Sequence, residues 1–113
     1  MTADLCEVVI TALDAGWLVD FTRRLVEDRL AASAQVTEPV RSIYRWQDEV
    51  VDRTEARAMV RTRVRLVPLL VARLAREHPY EGPGIIAVPI ISTSPTYKDW
   101  LLSQTSDAGG NID

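Results

Sequence analysis

One cysteine and one histidine stand in 113 residues. Cys6 alone closes no internal disulfide, which favours a reducing compartment. His78 alone, with no second imidazole or thiol in its loop, makes a poor transition-metal centre. Glycine is scarce: five are present, two of them Gly109 and Gly110 near the end, and no Walker or dinucleotide phosphate loop occurs. The single histidine has no serine in a nucleophile-elbow setting, so no hydrolase triad is visible. No apolar run approaches the ~20 residues that cross a bilayer, and Met1–Asp4 lacks the basic start and long apolar core of a secretory leader. A net charge of −3 with a pI near 5.1 argues against a nucleic-acid binder, which carries a basic face. These absences predict a single cytoplasmic domain that is not an enzyme and that neither enters a membrane nor holds nucleic acid.

What is present is regular. Glu7–Ala12 is rich in β-branched residues and reads as a buried strand. Asp14 is placed to cap a helix over Ala15–Ala32, with Leu18, Phe21 and Leu25 as its apolar stripe and Val26 and Leu30 beside it. Trp17 near its start would mark a contact surface if exposed. Val36–Trp46 is extended, with Pro39 as a bend or edge marker, and Gln47-Asp48 is a turn. From Thr54 to Val64 the chain alternates. Thr54, Ala56, Ala58, Val60, Thr62 and Val64 take one face; Arg53, Glu55, Arg57, Arg61 and Arg63 take the other. Pro68 opens a second helix with Leu66, Leu69, Leu70 and Leu74 as its core stripe. That helix stops near Glu77, because the prolines of His78-Pro79-Tyr80-Glu81-Gly82-Pro83 push their neighbours out of helical conformation. A strand over Ile85–Ile91 follows. Ser94-Pro95 then caps and starts a last helix, lined by Tyr97, Trp100 and Leu101. A domain over 1–102 is expected, followed by a polar, frayed tail over 103–113.

The order β-α-β-β-α-β plus a terminal helix predicts an α+β fold, the ferredoxin-like split βαβ sandwich. Helices on one face leave the other face of the sheet seeking a cover. The central hairpin, about Val40–Val64, outruns the strands at either end. Its projecting edges, with Tyr44, Trp46, Val50 and Val51, would be an aggregation hazard unless paired. A closed homo-oligomer with strands shared between subunits is the expected remedy.

Individual residues carry two readings each. His78 is a metal or anion ligand, completed by Glu81 or Glu77 as oxygen donors, or a helix-terminal histidine favoured by the dipole. Tyr80 and Trp46 wall a pocket or anchor an interface. The arginines of the alternating strand bind an anion or form a solvated face. Cys6 is a small hydrophobe at the start of a strand, with no cationic neighbour to lower its pKa.

Taken together, Thr11-Ala12, Leu30-Ala31-Ala32, Ser42-Ile43-Tyr44-Arg45-Trp46, Glu55, Arg61-Thr62, His78-Pro79-Tyr80, Tyr97 and Trp100-Leu101 resemble the CutA divalent-cation-tolerance family from about Val8 to Leu102. The resemblance implies a ferredoxin-like subunit in a tight homotrimer whose long hairpins reach between neighbours, an architecture similar to PII-type signalling proteins. It implies a link to tolerance of copper and other divalent cations, an association of some animal members with membrane-anchored acetylcholinesterase, and no firmly attached reaction. Several positions depart from the family pattern. Ile10 and Ser33 stand where relatives carry thiols, Asp48 where a glycine is usual, Gly84 where a glutamate follows proline, and Arg61 where the family keeps lysine. Missing thiols count against copper, since Cu(I) favours sulfur.

The combined expectation is a regulatory or binding homotrimer with a ligand cleft between subunits lined by Tyr44, Trp46, Glu55, Arg61, His78, Tyr80 and Glu81. No cofactor is required, and copper or zinc would sit on His78 and Glu81. The alternative is a rigid trimeric scaffold that recruits another protein through Trp17 or the charged helix faces.

Overall fold

The computed structural model describes residues 4–79 and 84–106. Its elements run β1 (Leu5–Ala12), α1 (Ala15–Glu27), β2 (Ser33–Trp46), β3 (Glu49–Arg63), a short 3-10 turn (Val64–Leu66), α2 (Val67–Glu77), β4 (Ile85–Pro89) and α3 (Pro95–Gln104). The four strands form one sheet in the order β2-β3-β1-β4, every neighbouring pair antiparallel. That is the split βαβ arrangement expected from the element order.

Local chemistry explains the element ends. Asp14 Oδ1 accepts from the backbone N–H of Trp17 at 3.2 Å, relieving one orphan donor of α1. A side chain at Gly16 would press on that same oxygen, at 3.2 Å. The expected continuation of α1 to Ala32 does not occur. Arg29 takes the left-handed conformation at φ 61°. Its N–H reaches Val26 O at 3.1 Å and that of Leu30 reaches Leu25 O at 2.9 Å, the paired bonds of a Schellman stop. An arginine stands where glycine is usual, so sequence carried no stop signal. At the hairpin tip Gln47 and Asp48 both have positive φ, 50° and 65°, the two-residue turn that matches strand twist. Asp tolerates this conformation, which explains the missing glycine. α2 ends at Glu77 as expected, the N–H of His78 bonding to Leu74 O at 2.8 Å. Ser94 Oγ accepts from Tyr97 N at 3.3 Å and caps α3. β4 stops at Pro89, short of the expected Ile91, because proline brings no ladder donor.

The core lies between the sheet and helices α1 and α2. Val8, Ile10, Ala12, Ala56, Ala58 and Val60 of the strands meet Leu18, Phe21, Leu25, Leu66, Leu70 and Leu74. Leu69 was expected in that stripe but is exposed; it lies off the i, i+4 line that joins Leu66, Leu70 and Leu74. Thr54 and Val64, expected on the core face, are exposed, while Glu55, expected outward, is buried. The helix layer explains Thr54: β3 pairs with β1 only from Ala56 to Arg63, and among the described residues nothing roofs the strand before that. Val64 has left the strand for the 3-10 turn. A smaller cluster of Leu5, Ala32 and Leu101 seats α3. Arg63 closes the end of α3, its Nε donating to Thr105 Oγ1 at 2.8 Å and its Nη2 to Leu102 O at 2.6 Å, a cation where the helix dipole favours one. α3 runs past Leu102 to Gln104, and the N–H of Ser106 bonds Arg29 O at 3.0 Å. Cys6 is buried, and burial pushes its thiol up to about 11, in keeping with a packing role.

An ion pair joins the two helices and another, within α2, shares its carboxylate. Arg24 Nη1 meets Glu77 Oε1 at 2.5 Å and Arg73 Nε meets Glu77 Oε2 at 3.2 Å. The Arg24 guanidinium, with help from Arg73, holds the Glu77 carboxyl below its ordinary value of 4.5. A depressed folded-state pKa gives stability that is complete above the unfolded value and drains away as pH falls through the folded one. Thermal melts over roughly pH 3–6 should therefore show a shallower acid decline for Glu77→Gln than for the parent chain. Equal slopes would deny this clamp a role.

Candidate functional site

The sheet carries helices α1 and α2 on one face only. On the other, the strand register lines up rows of side chains. One row reads Gln35, Met59, Val9, Ile86 from β2 to β4, and the next reads Ser33, Arg61, Glu7, Val88. Ile86 is 60% exposed and Val88 45%. With two large aliphatic side chains exposed on it, this face is more apolar than a solvated sheet surface needs to be.

The second row floors a cleft of about 420 Å³. Glu7, Arg61 and Tyr97 form its polar wall, Val88 and Ile90 its apolar one, and Ser92 and Ser94 its rim. Arg61 is fixed from two sides. Its Nε donates to Glu7 Oε2 at 3.1 Å and its Nη1 to Tyr97 Oη at 2.9 Å, while the guanidinium lies over the Tyr97 ring, 5.8 Å from its centre. Tyr97 first, then Glu7, raises the Arg61 pKa further above its already high ordinary value. The tyrosine and glutamate thus hold the fork in a set orientation, and α3 supplies the tyrosine.

Of the expected cleft residues, Arg61 is in this cleft. Glu55, Tyr44 and Trp46 share its side of the sheet, since Glu55 and Arg61 are of like parity on β3, and Tyr44 and Trp46 pair with Val51 and Glu49. They extend away along the hairpin, which stretches the molecule to 44 Å; Trp46 is exposed and Arg53 lies over the Tyr44 ring at 6.0 Å. Within one chain these aromatics do not meet Arg61. His78 sits elsewhere, its Nε2 bonding to Thr11 O at 2.9 Å and its ring edge-on to Trp17 at 5.0 Å. Trp17, in turn, stacks on Phe21 at 5.0 Å and is half-buried, so the full exposure that would mark it as a contact surface is absent. Tyr80 and Glu81 lie outside the described residues.

Among the described residues no three of His, Cys, Asp and Glu converge to hold a metal. A cation on His78 would bind through Nδ1 while Nε2 keeps its carbonyl bond, and its other ligands would come from residues beyond those described. The described donors by themselves do not make up a copper or zinc centre.

Sequence reasoning missed Glu7 and Tyr97 as cleft residues. The available signal was charge: Glu7 is the one acidic side chain in a mostly apolar strand, and an acid there calls for a cation on the neighbouring strand. No helix among the described residues is long and apolar enough to cross a membrane.

Residues 6–104 match the family model of the CutA1 divalent ion tolerance protein. The divalent-cation tolerance protein CutA of Thermus thermophilus is 42% identical over 98 residues, covering 87% of this chain and 95% of that protein. The mouse protein CutA is 32% identical over 92 residues, and the match spans 81% of this chain but only 52% of the mouse protein. The solved structure of the Thermus thermophilus divalent cation tolerance protein superposes with a TM-score of 0.87 at 37% identity, covering 90% of this chain and 99% of that one. The four-stranded sheet, its extended hairpin and the sequence match agree: the chain belongs to the CutA1 divalent ion tolerance protein family.

Proposed function

We propose that this protein is a cytoplasmic homotrimer of the divalent-ion-tolerance class that acts by binding, not by catalysis. Each trimer would hold small ligands in clefts between subunits, and occupancy of the cleft would carry the signal. The observation that supports this reading is the uncovered sheet face. It places exposed Ile86 and Val88 beside an oriented guanidinium, and it runs without a break into the projecting half of the hairpin. Glu49–Glu55 of β3 pair with β2 alone, so the ribbon is longer than one chain can shelter. Neighbouring copies that cover this face would close the cleft and bring aromatic groups such as Tyr44 and Trp46 to it.

The narrower, cation-binding version assigns copper or zinc to His78 and Glu81. Calorimetric titration of the whole protein with Cu(II) and Zn(II) checks it. Heat that disappears in His78→Ala, with the assembly intact, is what this version expects. Identical titrations for the parent and the variant would remove it. The scaffold alternative would draw on the charged helix faces more than on Trp17, which is packed between Phe21 and His78.

A further inference from the structure

We infer that the Arg61 cleft takes an oxyanion, a carboxylate or phosphate group carried on a compact organic ligand. The inference rests on the ligand-cleft reading above and names the chemistry of that ligand. A guanidinium has five N–H donors in a fixed fork. Arg61 uses Nε on Glu7 and Nη1 on Tyr97; among the described residues its Nη2 makes no hydrogen bond. The fork is held in place and one edge of it faces the cleft, the geometry that recognises planar or tetrahedral oxyanions. Because Tyr97 Oη already accepts from Arg61, its own proton is available to donate. Ser94 Oγ likewise accepts from the Tyr97 N–H and keeps its hydroxyl proton, and Ser92 adds another on the rim.

The balance of groups decides against a cation here. The lining holds one carboxylate, Glu7, already matched by Arg61 at 3.1 Å, and neither histidine nor cysteine. An entering cation would meet one neutralised acid among hydroxyls. An entering oxyanion would meet the open guanidinium edge and several hydroxyl donors. The space, about 420 Å³, exceeds what a bare phosphate fills and falls within the usual range for small organic ligands. Val88 and Ile90 would contact the ligand's carbon skeleton.

The test uses inorganic phosphate and citrate as separate probes, titrated calorimetrically into the full chain at low and high sodium chloride. Saturable binding of at least one probe, weakened by salt, is expected. The probe preferred identifies phosphate or carboxylate as the recognised group. Arg61→Gln should weaken binding by at least about tenfold, the worth of a charged hydrogen bond, and Arg61→Lys, which keeps charge without the fork, should fall between. Glu7→Gln should act the other way. Its amide oxygen still accepts from Nε and keeps the fork oriented, while a charge that repels the oxyanion is removed, so affinity should rise severalfold, a gain that loss of structure cannot mimic. Failure of both probes on an intact assembly would overturn the inference, as would unchanged binding in Arg61→Gln or a weakened Glu7→Gln. Sedimentation of the same samples separates the two readings: an unassembled chain overturns the inter-subunit cleft, whereas an intact assembly that ignores both probes overturns only the oxyanion.

Discussion

Phe21→Ala is expected to lower the unfolding free energy by roughly 3–5 kcal/mol, the cost of deleting a buried aromatic side chain. Phe21 is fully buried at the centre of the α1 stripe. It fills the layer between helix and sheet and also carries Trp17 on its face, with an interplanar angle of 9°. Trp17 meets the His78 ring, and His78 bonds the end of β1 through Thr11. Removing the phenyl ring leaves a cavity in a small core and takes away the support of that stack. Domains of this size hold only about 5–15 kcal/mol in all, so the loss is a large share. Denaturant unfolding should show a lower midpoint with an unchanged slope, and Trp17 fluorescence should report the loosened stack before global unfolding. A loss below about 1 kcal/mol would place Phe21 among ordinary surface positions and contradict the layer packing.

Ile86→Asp is expected to break the proposed assembly while leaving the subunit folded. Ile86 is 60% exposed in the single chain, so the fold asks little of it. In a trimer that covers this face, each copy would lose about 2 kcal/mol of apolar burial. Each would also desolvate a carboxylate at a cost of several kcal/mol more. Closed symmetry repeats that penalty at every interface. At micromolar concentration the variant should sediment as single chains with native-like circular dichroism. An Ile86→Asp protein that keeps the parent's mass would show that the sheet face is not the contact surface.

Much of the fold was legible because its signals are local. Asp14, Pro68 and the Ser94-Pro95 pair mark helix starts through chemistry that acts over three or four residues, and all three operate as read. The alternation of Ala56, Ala58, Val60 and Thr62 identified a half-buried strand because pleating alone sets that period. What failed was what depends on partners distant in sequence. The end of α1 at Arg29 uses a left-handed arginine, a choice that surrounding packing makes and composition does not announce. Thr54 obeys the strand period yet is exposed, because the helix layer stops short of it. Leu69 looked like core for its chemistry, but the helical angle turns it outward.

The cleft was harder to read than the fold. Glu7 and Arg61 are 54 residues apart and meet only through the β1–β3 register. Tyr97 arrives from a helix that crosses the far end of the sheet. Arg61 itself was identified through the family resemblance, as the position where relatives keep a cation, and its surroundings were not. Tyr44, Trp46 and Glu55 share its side of the sheet by strand parity. Their distance from it along the hairpin is why a neighbouring subunit is needed to complete the proposed site.

Sedimentation equilibrium of the unmodified chain at micromolar concentration tests the central claim most directly. If copies cover one another's open sheet face and projecting ribbon, the particle should have three times the 12.6 kDa mass of the chain, with no measurable free subunit. A single species of 12.6 kDa would contradict it, leaving Ile86, Val88 and the hairpin aromatics exposed to water and the cleft open on one side.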